Sequence, residues 1–313
     1  MRILVTGANG FVGREFCRRM SERGHSLRPW LRQAIAGMPN DAVIADLRTL
    51  PECSNAFLGV DVVLHLAARV HKMQEDVQDP EAAYELENVA VTRYLAEQAA
   101  SAGVKRFVFV SSIKACGERS QGIALSESDT PVPEDAYGRS KLAAEQVLRE
   151  VAEAHGMEWV IVRPVLVYGA GVGGNFERLV GLVKKGIPLP FGRVEALRSF
   201  VNVWNLAALL ECCCVHPKGA GEVFHAADTE CGTATLMREI AEAAGVPSRL
   251  MATPRCVLTA VAKIPGVGAA MRRLTGELRV SASKAGAMLG WEPVVSRQEA
   301  LRRTVSGEGA RRV

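Results

Sequence analysis

The tightest constraint on this chain lies in its first thirteen residues. Arg2-Ile3-Leu4-Val5-Thr6 is a nearly continuous apolar run, and it opens directly into Gly7-Ala8-Asn9-Gly10-Phe11-Val12-Gly13. A helical pattern over residues 10–22 follows without a break. Strand, glycine-rich turn and helix in that order leave backbone N–H groups free at a helix N-terminus, where negative charge is stabilised. The first glycine permits the tight turn. The second lets phosphate oxygens reach the backbone, and the third lets the helix pack closely on the strand. Thr6, Gly7, Asn9, Gly10, Phe11, Val12 and Gly13 are therefore expected to cradle the pyrophosphate of a dinucleotide.

The pattern continues downstream. Residues 26–31, 41–45, 60–66, 106–111 and 159–162 read as strands. Residues 81–102 and 136–155 read as helices, each closed by a glycine, Gly103 or Gly156. Strands that alternate with helices give βαβ units and a mostly parallel sheet covered on both faces. From Pro164 onward glycine and proline become dense and the alternation loosens. The expected fold class is α/β: a Rossmann-type doubly wound parallel sheet with a smaller α/β substrate-binding region. Residues 1–164 would form the dinucleotide domain, with a returning segment near 197–227, and 165–313 would mainly bind substrate.

Charge and cysteine usage exclude other classes. The net charge is +4, and four arginines and one glutamate between Arg302 and Val313 supply 4 − 1 = +3 of it. That leaves no basic stripe for nucleic acid. No two of the eight cysteines have C-x-x-C spacing, so no metal site is expected. Cys212-Cys213-Cys214 reads as buried small hydrophobes in a reducing compartment. No signal-peptide pattern and no apolar run of transmembrane length is visible. The reading is a cytoplasmic, soluble protein without a membrane span.

The end of the second strand carries Leu31-Arg32 and no carboxylate. An acidic residue there would bind the ribose hydroxyl of NAD(H), whereas an arginine suits a 2′-phosphate. Arg32 therefore favours NADP(H), and NAD(H) stays open as the alternative.

Tyr137 and Lys141 are spaced i, i+4 near the start of the long helix, so both lie on one face. A neighbouring ammonium favours the phenolate, which can then exchange a proton with an alcohol or ketone. Ser111-Ser112 ends the preceding strand.

T-G-x-x-G-x-x-G at residues 6–13, Ser112, and Tyr137 with Lys141 together resemble the extended short-chain dehydrogenase/reductases of the NAD(P)-dependent nucleotide-sugar epimerase/dehydratase family. His65-Leu66-Ala67-Ala68, Asn88 and Arg163-Pro164 with Val167-Tyr168-Gly169 are similar to further segments of that family. The resemblance implies a Ser112–Tyr137–Lys141 catalytic triad, with Ser112 on the reacting oxygen. It implies adenine contacts from Asp46 and Leu47. Leu66, Ala67, Ala68, Pro164 and Val167 would lie beside the cofactor. A UDP-sugar would be held by Asn175, Phe191, Arg198 and Arg273, with Lys114 near its reacting end. The resemblance also implies a homodimer through residues 81–102 and 136–155.

The residue after Ser112 is Ile113, then Lys114, where 4,6-dehydratases carry Asp-Glu, so dehydration is disfavoured. Finer similarity points to 4-reductases of UDP-4-keto-6-deoxy-N-acetylglucosamine, which make UDP-N-acetylquinovosamine. The main expectation is therefore an NADPH-dependent 4-keto reductase of a UDP-4-keto-6-deoxy-N-acetylhexosamine, with Tyr137 as acid. A UDP-hexose or UDP-N-acetylhexosamine 4-epimerase with bound NAD is the alternative. A non-catalytic NADP(H) sensor is the third reading.

Overall fold

The structure is a computed structural model that describes residues 1–70, 79–120, 122–254, 257–258 and 268–308, excepting the side chains of 269, 270, 272 and 273. Its larger sheet has seven strands in the order β3-β2-β1-β4-β5-β6-β9, and every pairing is parallel. These are β1 Arg2–Thr6, β2 Ser26–Leu31, β3 Val43–Ile44, β4 Val62–His65, β5 Arg106–Val110, β6 Glu158–Pro164 and β9 Glu222–Ala226. The fold is Rossmann-type α/β.

The apolar runs of these strands explain the two covered faces. Side chains alternate across a strand. Ile3, Val5, Val62, Leu64, Val108 and Val110 join one core with helices α1 (Phe11–Glu22) and α6 (Val203–Val215). Leu4, Val63, Phe107, Phe109 and Ile161 join a second core with α3 (Val91–Ser101) and α4 (Ala136–His155). All five residues of β5 are buried, as a strand sandwiched between helix layers requires. Helix α6 is buried almost all round because it packs on α1, and Arg19 pairs with Glu211 at 2.6 Å across that seam. Cys213 and Cys214 are buried on α6, and burial pushes both thiols well up, which keeps them protonated.

A three-stranded sheet of β10 (Thr229–Gly232), β8 (Leu197–Asn202) and β7 (Leu166–Tyr168) forms the smaller unit. Its core gathers Tyr168, Phe176, Leu179, Phe200, Leu236 and Ile240, drawing on α5 (Gly174–Lys184) and α7 (Thr233–Ala243). Residues 197–202 thus belong to the smaller sheet. The chain returns to the larger one through α6 and β9, six residues later than the sequence pattern suggests. The last four residues of β8 are buried like those of a large-sheet strand, so burial alone does not tell the two sheets apart.

One expected helix is not uniform. Residues 81–102 divide into α2 (Pro80–Tyr84), a π-helical turn Glu85–Ala90, and α3. Asn88 sits inside the wide turn. It receives a bond from Arg69 N at 2.8 Å and donates to Ser140 Oγ at 2.9 Å, so it clips the loop after β4 to α4. No helix among the described residues is long and apolar enough to cross a membrane.

Candidate active site

In an open parallel sheet, ligands bind outside the carboxyl ends of the strands, where the strand order reverses. Here that point lies between β1 and β4. Gly10 N donates to Gly7 O at 2.9 Å and closes the turn. Gly7 has φ +67°, and a Cβ there would stand 2.9 Å from Ala67 N. At Gly13 a Cβ would stand 2.2 Å from Gly7 O, so only glycine lets α1 start this close to β1. No side chain caps α1, which leaves its first N–H groups to a ligand.

Thr6 has a different task from the one expected. It is fully buried, and its hydroxyl meets Leu66 N and Ala67 N at 3.2 Å each and His65 Nδ1 at 2.7 Å. It holds the two crevice strands together from behind. Phe11 and Val12 pack against the core of the smaller unit.

The crevice opens into a cavity of about 240 Å³ lined by Gly7, Asn9, Gly10, Arg32, Asp46, Leu47, Leu66, Ala67 and Ala68. Arg48 and Glu87 also line it. Arg48 Nη2 binds Asp46 Oδ2 at 2.5 Å, and this guanidinium holds the Asp46 carboxyl down to about 2. Asp46 also caps the short turn Leu47–Thr49 through Arg48 N. A dinucleotide fits this cradle: bare backbone at the glycines, apolar walls at Leu47 and Leu66, and two arginines where the adenosine ribose would lie.

A larger cavity of about 510 Å³ is lined by Ser112, Lys114 and Tyr137, by Pro164 and Val167, and by Asn175 and Arg198. The two units therefore share one chamber. Tyr137 is half-buried. Burial pushes its phenol up to about 12, against the lowering effect of a hydrogen bond from Ser112, and Asp135 raises it further. Lys141 is 2 % exposed. Its ammonium donates to Val110 O at 2.9 Å and lies 4.5 Å from the Phe109 ring centre. Burial pushes it down to about 7, with Glu145 opposing. A phenol raised this far keeps its proton near neutral pH.

Two supports around the triad are absent from the sequence reading. Glu145 accepts from both Arg163 and Ser111 in the interior, and Arg163 reaches Cys116 Sγ at 2.9 Å. The spacing Tyr137, Lys141, Glu145 continues one helix face by four residues, a signal that could have revealed Glu145. Lys114 Nζ binds Asp135 at 2.5 Å and Glu118 at 2.8 Å, and Glu118 also lines the chamber.

On the other wall, Arg198 Nη1 donates to Gly276 O at 2.9 Å, and Asn175 is exposed at the start of α5. Phe191 is not on the wall. It is 7 % exposed and packed in the core of the smaller unit, because Leu189 and Phe191 of the Pro-Leu-Pro-Phe-Gly run turn inward as apolar filling. Arg273 lies on α8 (Gly268–Thr275), but its side chain is outside the described residues.

A Rossmann-type sheet with a glycine-loop cleft and a Ser–Tyr–Lys constellation at the adjoining strand ends defines a dinucleotide-dependent enzyme. Residues 3–227 match the NAD dependent epimerase/dehydratase family, and the chain belongs to it. It is 38 % identical to the UDP-glucose 4-epimerase of Vibrio cholerae over 309 residues, 96 % of this chain and 94 % of that one. Among solved structures it resembles the Thermus thermophilus UDP-glucose 4-epimerase complex with NAD, at 26 % identity, TM-score 0.76, covering 99 % and 100 % of the two chains. The Bacillus cereus UDP-glucuronic acid 4-epimerase in complex with NAD shares the fold, at 22 % identity, TM-score 0.78, covering 98 % and 96 %.

Proposed function

We propose that the chain carries out redox chemistry at C4 of a UDP-sugar, as a UDP-hexose or UDP-N-acetylhexosamine 4-epimerase. The observation that carries this is the shared chamber, where Ser112 and Tyr137 stand on one wall and Asn175 and Arg198 on the other. The end-to-end similarity to the V. cholerae epimerase supports the same reaction. When bound, a nicotinamide dinucleotide would supply the hydride acceptor and donor.

The chain's own residues do the rest. Gly7, Asn9, Gly10 and the α1 N-terminus hold the pyrophosphate. Arg198 presents a guanidinium fork to the UDP diphosphate. Ser112 donates to the C4 oxygen, and Tyr137 passes a proton to or from it. Lys141, whose ammonium donates to Val110 O and feels the Glu145 charge, favours the Tyr137 phenolate whenever it is charged.

A second reading has its own observation. Arg32 and Arg48 both line the adenosine end, and no carboxylate ends β2. These favour a 2′-phosphate, and hence an NADPH-dependent 4-keto reductase of a UDP-4-keto-6-deoxy-N-acetylhexosamine. One experiment separates the two. Interconversion of UDP-glucose and UDP-galactose, or of their N-acetyl counterparts, without net cofactor consumption establishes the epimerase. Stoichiometric NADPH oxidation with a 4-keto-6-deoxy UDP-sugar, without interconversion, establishes the reductase. Neither activity overturns both.

A further inference from the structure

Members of this fold handle neutral sugars and sugar acids alike, as the UDP-glucose and UDP-glucuronic acid epimerases named above show. The chamber of this chain carries a charge pattern that separates the two. Its wall is mostly apolar, with Val70, Ile113, Leu166, Phe176 and Phe200 among the residues that line it. Among the described residues, the charged side chains on that wall are three: Arg198 from the smaller unit, and Lys114 with Glu118 from the turn that follows Ser112.

Lys114 is not an available cation. Its ammonium lies between two carboxylates, at 2.8 Å from Glu118 and 2.5 Å from Asp135. Asp135 is fixed in turn, since its other oxygen accepts from Gly138 N at 2.7 Å at the start of α4. Two carboxylates and one ammonium leave the group with one net negative charge. The group also adjoins the reacting end of the chamber. Lys114 N donates to Ser112 Oγ at 3.2 Å, and the Asp135 charge acts on Tyr137 two residues further on. Lys141 is a further cation near the triad. It is buried behind the wall, its ammonium donates to Val110 O, and burial holds it down to about 7. It offers an anion on the sugar no contact.

We infer that the sugar accepted here is uncharged, and that Glu118, with the Lys114–Asp135 pair, selects it by accepting hydrogen bonds from sugar hydroxyl or amide groups while repelling a carboxylate. The inference rests on the UDP-sugar reading above and narrows it to neutral hexoses, N-acetylhexosamines and their deoxy forms. Specificity built this way is a repulsive element against the wrong ligand as much as an attractive one for the right ligand.

UDP-glucose and UDP-glucuronate share the nucleotide, the diphosphate and the ring, and they differ in charge at C6. Titration calorimetry of the full chain with each, with UDP as reference, reads the sugar contribution whether or not turnover occurs. The expected result is UDP-glucuronate binding about tenfold or more weakly than UDP-glucose, a difference of ~1.4 kcal/mol or more. Glu118→Gln keeps the shape and removes one charge. It should narrow that gap to about threefold, with UDP affinity unchanged as the sign of an intact fold. Equal or tighter binding of UDP-glucuronate overturns the inference, as does a gap that Glu118→Gln leaves intact, or the absence of any affinity beyond that for UDP. Failure of the C4 reading registers separately: UDP-glucose binds with the expected preference and is not converted.

Discussion

Glu145 accepts two hydrogen bonds from Arg163, at 2.9 and 2.6 Å, where the two side chains are 1 % and 3 % exposed. The pair joins α4 to β6, and Ser111 Oγ adds β5 by donating to the same carboxylate at 2.5 Å. Ser112 is the next residue on β5's extension, and Lys141 is one helical turn before Glu145. A single buried carboxylate thus fixes the spacing between the two elements that carry the triad. It also counters the burial that pulls the Lys141 ammonium down.

Glu145→Gln leaves the Arg163 guanidinium buried without its counter-charge. Breaking a buried pair on one side costs about 3–5 kcal/mol, whereas replacing both partners by apolar groups costs far less. Urea unfolding should show a loss of that size for the single variant and a partial recovery for Glu145→Gln with Arg163→Met. Equal loss in both would mean that charge compensation is not what holds the seam.

Gly138 sits beside Tyr137 for steric reasons. A Cβ at this position would stand 2.4 Å from Lys114 O and 3.2 Å from Asp135 Oδ1. Helix α4 can approach the Ser112 turn only without it. Gly138→Ala is expected to push Tyr137 away from Ser112, lowering kcat by about tenfold to a hundredfold, since an ångström of misplacement has that effect. Stability should fall by about 1–3 kcal/mol. Wild-type kcat in a folded Gly138→Ala protein would show that the contact does not set the tyrosine's position.

Much of this was legible in the sequence, for identifiable reasons. The glycine loop, the strands up to β6 and the glycine stop of α4 are local patterns with one physical reading each. Tyr137, Lys141 and Ser112 could be placed near one another because a helix face and a strand end fix where such side chains point. Arg48 and Glu118 escaped because their places depend on loops, which carry no periodicity. Phe191 was expected on the substrate wall and lies in the core, since an apolar residue between a proline and a glycine reads alike in both settings. The π-helical turn at Asn88 adds one residue to a turn whose hydrophobic pattern still looks α-helical.

Tyr137→Phe tests the proton transfer itself. The ring keeps its packing against Tyr84, 6.0 Å between centroids, and loses only the hydroxyl. General acid–base assistance contributes about 10²–10⁴-fold, so kcat should fall by that much. Dinucleotide affinity, measured by fluorescence titration, should change less than about threefold. Retained turnover would remove Tyr137 from the chemistry.

His65 gives the fold a specific acid sensitivity. It is 1 % exposed beside the Phe107 and Phe109 rings, and burial, aided by the Lys141 charge, pushes its pKa down to about 3 from 6.5. Between those values the unfolded chain binds a proton that the folded chain does not. This contribution to stability is therefore complete above pH 6.5 and lost progressively as pH falls toward 3. From pH 7 to pH 5 the loss is about 2 kcal/mol. A His65→Gln protein should show a pH dependence shallower by that amount in denaturant unfolding at the two pH values. An identical slope would place the acid sensitivity elsewhere.

The adenosine end decides between the two cofactors. Arg32 and Arg48 line the cleft, and Arg48 is already held by Asp46. A 2′-phosphate would draw charge-assisted bonds from both guanidinium groups, each worth about 1.5–3 kcal/mol. On the reductase reading NADPH should therefore bind the native chain more tightly than NADH, most visibly at low salt. Arg32→Gln should cost NADPH about tenfold or more and leave NADH within about twofold. Arg48→Gln should act on both sides, weakening NADPH while releasing the Asp46 carboxylate to accept from the adenine amine of either dinucleotide. Competitive titration of the two reduced cofactors reads these ratios directly. A native preference for NADH that both variants leave unchanged would show that the arginines serve only Asp46 and solvent, and would shift the balance decisively to the epimerase.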